Sequence, residues 1–144
     1  AGEAAGAESV ECALNFQAKR IGHGIRCIEN PLVMQELADR GVVLELCPTS
    51  NLNTKIYETI GDYPIQQLMN KGIRVTVNTD NMMVSDTTEA RELALVADIF
   101  NMEKKDVKQL IMNGVEAAFA TEVIKNRLRA RVETQFAKVA GIRG

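Results

Sequence analysis

Between residues 73 and 81 the chain reads IRVTVNTDN, with Ile73, Val75 and Val77 alternating with Arg74, Thr76 and Asn78. Alternation of this kind sends one set to each face of a β-strand. Asp80 shares parity with Thr76 and Asn78, so it falls on the polar side, at the tip where the strand runs out. A carboxylate held there alone is costly, so a cation, a hydrogen-bond donor or a metal must meet it.

The pattern upstream has the same form. In residues 7–17, AESVECALNFQ, the side chains Val10, Ala13 and Leu14, with Ala18 just beyond, share one helical face. RIGHG at 20–24 predicts a very short strand. Asn30-Pro31 is an N-cap followed by proline at the first helical position. The helix it opens carries Val33, Met34, Leu37 and Ala38 and stops at Gly41. VVLELC at 42–47 predicts a buried strand. PTSNLNTKIYETIGDY predicts a polar loop, PIQQLMNKG a second proline-led helix closed by glycine, and residues 73–78 the third strand. MMVSD falls in a loop, and a helix over about 87–100 starts with Asp86 and Glu89 spaced as a capping box.

Strand and helix therefore alternate three times across short connections. That predicts an α/β fold of consecutive parallel βα units, in a barrel or a doubly wound sheet. From residue 103 the alternation stops. Two helices, about 103–117 and 121–139, follow without a strand, and Lys125, Arg127, Arg129 and Arg131 on the second are expected on a solvated face.

Bulk properties narrow the function. A length of 144 residues allows one domain with a real core. With 17 basic and 19 acidic residues there is no basic excess, so no nucleic-acid partner is expected. No apolar run approaches bilayer length, so no membrane partner is expected. Cys12, Cys27 and Cys47 are odd in number and lack metal-ligand spacing, which fits a reducing, cytoplasmic location. The chain opens on AGEAAG with no initiator methionine, as if a strand had just ended, and suggests a piece of something longer.

In parallel α/β folds the functional side chains collect at the C-terminal ends of strands. Glu3, His23, Cys47 and the pair Asp80-Asn81 fall there. His23 is the one histidine of the chain, and Gly22 and Gly24 on either side leave room at its ring. Each residue also has a plain structural reading. Glu3 suits the first turn of a helix, His23 a packed core, Asp80 an N-cap or a partner for Arg74, and Cys47 a buried strand-end thiol. Glu45, in mid-strand, needs a partner from Arg20 or Arg74.

Taken in order, AGE, RIGHG, CPTSN and NTDN resemble the motifs at the ends of the fifth to eighth strands of the adenosine deaminase family, zinc-dependent (β/α)8-barrel aminohydrolases. NGVEAAF and the charged helix after it are similar to that family's closing segment. The resemblance implies the C-terminal part of a (β/α)8 TIM barrel with parallel strands, followed by two C-terminal helices, with residues 1–144 as the C-terminal half of one deaminase domain. It implies hydrolytic deamination of adenosine, or a related adenine nucleoside, to inosine and ammonia. Glu3 resembles the acid that protonates purine N1, and His23 the residue that orients the attacking water. Asp80 resembles a zinc ligand, and Ser50 and Asn51 resemble supporting residues. Asn81 stands where the family usually has an Asp facing purine N7, and an amide can donate there without first being protonated.

The family's other metal ligands, a His-x-His pair and a further histidine, have no counterpart here, and one carboxylate cannot hold a catalytic zinc. The chain alone is therefore expected to be inactive and to self-associate through its open strand edges. Two other readings stand beside this one: a Cys-His hydrolase using Cys47 and His23, and a non-catalytic oligomerising module.

Overall fold

The computed structural model describes residues 1–140, so residues 141–144 of the expected unit lie outside the described residues. Three parallel strands, β1 (Arg20–Gly22), β2 (Val43–Leu46) and β3 (Arg74–Val77), lie in chain order. Their register sets Ile21 beside Leu44 and Leu44 beside Val75. α1 (Ala7–Asn15) precedes β1, α2 (Pro31–Arg40) joins β1 to β2, and α3 (Pro48–Asn53) and α4 (Ile65–Asn70) lie between β2 and β3. Val10, Leu14, Leu37 and Leu68 from the helices meet Ile21, Leu44, Val75 and Val77 from the sheet in one buried cluster. Beyond β3 come α5 (Met82–Ser85), α6 (Glu89–Ile99), α7 (Lys104–Ala117) and α8 (Glu122–Ala140).

The expected order of strands and helices holds, and the differences are local. Asn30 caps α2 by accepting from the Leu32 N–H at 3.0 Å, and Gly41 ends it at φ 61°. The stretch expected as a polar loop after β2 opens with a helix, α3, because Pro48 presets its first position. MMVS also turns helical, since Asn81 Oδ1 accepts from both Met83 and Val84 N–H at 3.1 Å. Asp86 does not cap α6. Its φ of 46° is left-handed, whereas an N-cap needs extended backbone, and Thr88 takes the role by accepting from the Arg91 N–H. A capping box does occur, at Glu103 and Asp106, where α7 begins.

Both sheet edges are partly covered by the chain itself. The Ala1 amino group donates to Gly22 O at 3.1 Å, Gly24 N–H to Ala1 O at 2.7 Å and Arg26 N–H to Gly2 O at 3.1 Å, which continues a strand-like ladder along β1. On the far side, Asn113 of α7 donates to the Val75 carbonyl at 2.8 Å in a buried setting. α7 lies against Thr76 at Gly114, where an added Cβ would make an ordinary contact of 3.8 Å with Thr76 Cγ2. Thr76 is therefore buried despite lying on the strand's polar side, and burial along β3 does not alternate.

α8 packs back on α7. Arg129 grips both carboxylate oxygens of Glu116 at 2.6 and 2.7 Å, and Lys125 donates to the Glu116 carbonyl at 2.6 Å. Of the four cations expected on a solvated face, Arg127 and Arg131 are exposed and the other two hold the helix pair together. Hydrogen bonding to Arg129 lowers the Glu116 pKa. A lowered native pKa gives stability that is present above the unfolded value and is lost as pH falls through the native one. Glu116→Gln should therefore speed amide exchange in α8 at neutral pH. The unchanged chain should reach the same exchange only when acidified below the ordinary carboxylate range, and hydrogen-exchange mass spectrometry would follow both.

Candidate active site

Three βα connections bring the polar side chains together. β1 stops at Gly22, and His23 and Gly24 turn away at φ 61° and 70°. Gly24 is glycine for this backbone and for space, since an added Cβ would stand 2.5 Å from Leu44 Cδ2. At Gly22 no atom other than those of its chain neighbours stands within 4 Å of where a Cβ would lie. Asp80, two residues past Asn78, also stands left-handed at φ 53°. Two non-glycine residues in that conformation, past the tips of the two outer strands β1 and β3, mark stored strain, which clusters at functional sites.

Asn51, with no exposed surface, is the hub. Its Nδ2 lies 3.0 Å from Glu3 Oε1 and 3.1 Å from His23 Nδ1, and its Oδ1 lies 2.9 Å from the Tyr63 hydroxyl. An ionised carboxylate only accepts, so the amide nitrogen must face Glu3 and the amide oxygen must face Tyr63. Tyr63 therefore donates, and His23 Nδ1 accepts. The imidazole proton then sits on Nε2, 3.4 Å from Glu3 Oε2. Thr54 Oγ1 adds a longer contact to Glu3 at 3.4 Å. Ser50, one residue before the hub, donates to Asp80 Oδ2 at 2.8 Å.

All six residues expected from sequence sit at these strand ends. Glu3, His23 and Asn51 form one hydrogen-bonded group, Ser50 and Asp80 a second, and Asn81 caps α5. Because the cap holds the Asn81 oxygen, its amide NH2 is left free to donate. Tyr63 and Thr54 also touch this group and are not marked in the sequence. Tyr63 precedes a proline in what looked like a loop, and no periodicity points to it. The partner of Glu45 is Arg20 at 3.4 Å, while the Arg74 guanidinium lies near Gly41.

The surroundings of Cys47 do not activate its thiol. Burial pushes its thiol up to about 12, with the negative charges of Asp80 and Glu3 adding to the effect. Its Sγ faces the Glu45 carbonyl at 3.6 Å, and His23 is engaged with Asn51 and Glu3. Among the described residues no three His, Cys, Asp or Glu side chains gather closely enough to hold a metal ion. Asp80 supplies one donor where a catalytic zinc takes three or four protein ligands, so these residues do not make a metal centre by themselves. A cleft of about 440 Å³ between the sheet and α7 is lined by Arg20, Glu45, Thr76, Asn78, Leu110 and Ile111, and none of Glu3, His23, Asn51 or Asp80 reaches it.

Parallel βα units with acid, imidazole and amide groups at the carboxyl ends of the strands define an α/β protein of the barrel or doubly wound class. The family described as Adenosine deaminase matches residues 1–135. An adenosine deaminase of Haemophilus ducreyi is 45% identical over 136 residues, 94% of this chain and 40% of that protein. An adenine deaminase of a Chelativorans species is 42% identical over 134 residues, covering 92% and 41% of the two chains. The crystal structure of an adenine deaminase from Arthrobacter aurescens superposes with a TM-score of 0.91 at 28% identity, over 96% of this chain and 42% of that one. An amidohydrolase from Burkhoderia ambifaria with bound Zn gives 0.87 at 25% identity, over 98% and 40%. This chain belongs to the adenosine deaminase family, and its sheet is part of that family's barrel. It spans about 40% of the length of the curated relatives it matches.

Two outcomes follow from the geometry. Gly24→Ala should lower stability by at least about 2 kcal/mol, from left-handed strain plus the Leu44 contact, read from the urea midpoint. At neutral pH a thiol reagent should label Cys12, which is exposed, and spare buried Cys27 and Cys47 until denaturant is added.

Proposed function

We propose that residues 1–144 carry the proton-transfer half of a hydrolytic deaminase acting on adenine compounds. The observation that supports this most is the shared hydrogen bonding of Glu3, His23 and Asn51 at the strand ends, beside an Asp80 held by Ser50. In the reaction, water adds to C6 of the purine, the C6–NH2 bond breaks, and ammonia leaves a C6 carbonyl. With adenosine the product is inosine, and that nucleoside is our proposed substrate. Relatives are named adenosine deaminase or adenine deaminase, and loss of the C6 amino group describes the deamination of either compound.

Attack at C6 disrupts the aromatic ring and builds negative charge at N1. Glu3 enters this step protonated on Oε2, with Oε1 still accepting from Asn51, and gives that proton to N1. Acid catalysis of this kind is worth about 10²–10⁴ in rate. His23 orients the attacking water, with its ring direction fixed by Asn51. Asn81 turns its free NH2 to the N7 acceptor and needs no proton of its own. Asp80 is proposed as one ligand of a zinc ion whose other ligands come from outside residues 1–144. Such an ion makes bound water acidic near neutral pH. The chain alone is proposed to be inactive and to self-associate.

The complete deaminase carrying this segment should convert adenosine to inosine, followed by ultraviolet absorbance. Glu3→Gln and His23→Ala should each lower kcat by at least about 10² with zinc still bound. Asp80→Ala should lose zinc by metal analysis. No turnover of any adenine compound by the zinc-loaded protein would refute the assignment, and full zinc occupancy in Asp80→Ala would refute the ligand role.

A further inference from the structure

Glu92 is an acidic residue in the wrong place for a surface helix. It lies on α6 with only 1% of its surface exposed. Its Oε2 accepts the Thr49 N–H at 3.0 Å, across 43 positions of chain. Its Oε1 is buried and has no hydrogen-bond partner among the described residues. A side chain kept for stability alone does not leave a buried carboxylate oxygen unmet. Local rules of this kind are broken mainly at functional sites.

The Thr49 end of the contact explains what it does. α3 starts at Pro48, which has no N–H, and its N-cap residue, Cys47, makes no side-chain cap. The first free amide of that helix is Thr49, and it is met by Glu92 rather than by a local cap. The next two residues are Ser50, which holds Asp80, and Asn51, which holds Glu3 and His23. A shift of the first turn of α3 therefore moves both hydrogen-bonded groups of the site together.

We infer that Glu92 is a positioning residue: a latch from α6 that sets the first turn of α3, and through Ser50 and Asn51 the geometry of Asp80, Glu3 and His23. The importance of that geometry rests on the deaminase reading, whereas the latch itself does not. Cys47 sits at the hinge of the latched turn, and Cys27 lies buried in the core cluster away from it. The two thiols report local opening and general unfolding separately.

The test uses thiol labelling with peptide-resolved mass spectrometry on the chain, and steady-state kinetics on the complete deaminase. Glu92→Ala should make Cys47 react while Cys27 stays protected, and should lower kcat at least about tenfold with little change in KM, since a misplacement of about 1 Å can lose about 10² in rate. Glu92→Gln keeps an oxygen at the same reach and breaks no bond at the unpartnered position, so it should restore both readouts. Glu92→Asp is too short and should not. Cys47 staying unreactive in Glu92→Ala overturns the latch, as does labelling of Cys27 alongside it, which is general destabilisation. If Glu92→Gln behaves like Glu92→Ala, the contact is not the hydrogen bond described. Labelling as expected with unchanged kcat overturns the positioning role and leaves the deaminase assignment untouched.

Discussion

A buried amide can be placed only if every one of its polar atoms is met, and Asn51 meets that demand with three different segments of chain. Its nitrogen reaches the residue just past the chain start and the residue just past β1, and its oxygen takes the hydroxyl that precedes α4. Hydrogen bonds buried away from water strengthen one another, and leaving one unmade carries the full desolvation penalty. The strand ends therefore cannot drift apart one at a time. Glu3 sits on no regular element and depends on this contact and on the hydrogen bonds of Ala1 and Gly2 for its position.

The same constraint explains the strained backbone nearby. His23 and Asp80 both occupy the left-handed region, which is unfavourable for residues that carry a Cβ. They stay there because neighbouring contacts hold them. His23 N–H donates to the Glu45 carbonyl and its ring Nδ1 accepts from the Asn51 amide, and Asp80 takes the Ser50 hydroxyl. The site is a set of short tethers between strand tips rather than a preformed cavity. That is consistent with the cleft between the sheet and α7 lying apart from these residues.

Much of this was legible in the sequence because it rests on short-range rules. Asn30-Pro31 and Gly41 mark the ends of α2 through backbone chemistry that needs no tertiary context. The apolar alternation of 73–77 marks β3 for the same reason. The motif resemblance placed six side chains at the strand ends. What stayed hidden depends on partners far along the chain. Asp86 and Glu89 have the spacing of a capping box, but the turn after α5 puts Asp86 in the wrong conformation. Gly24 answers to Leu44, twenty residues further along the chain. Tyr63 and Glu92 act at positions 12 and 43 residues from the groups they touch, and no local pattern records that.

The ladder along the outer edge of β1 bears on how this chain can be handled. Residues joined ahead of Ala1 leave beside Gly22, at an edge that already accepts backbone hydrogen bonds. A joining peptide rich in valine, isoleucine or threonine would tend to zip along that edge as an added strand. A glycine-serine peptide would hang free as a coil. Any histidine tag placed there would hang within a few residues of Glu3 and offer imidazoles to metal ions on its own account, so a tag used for purification belongs behind α8.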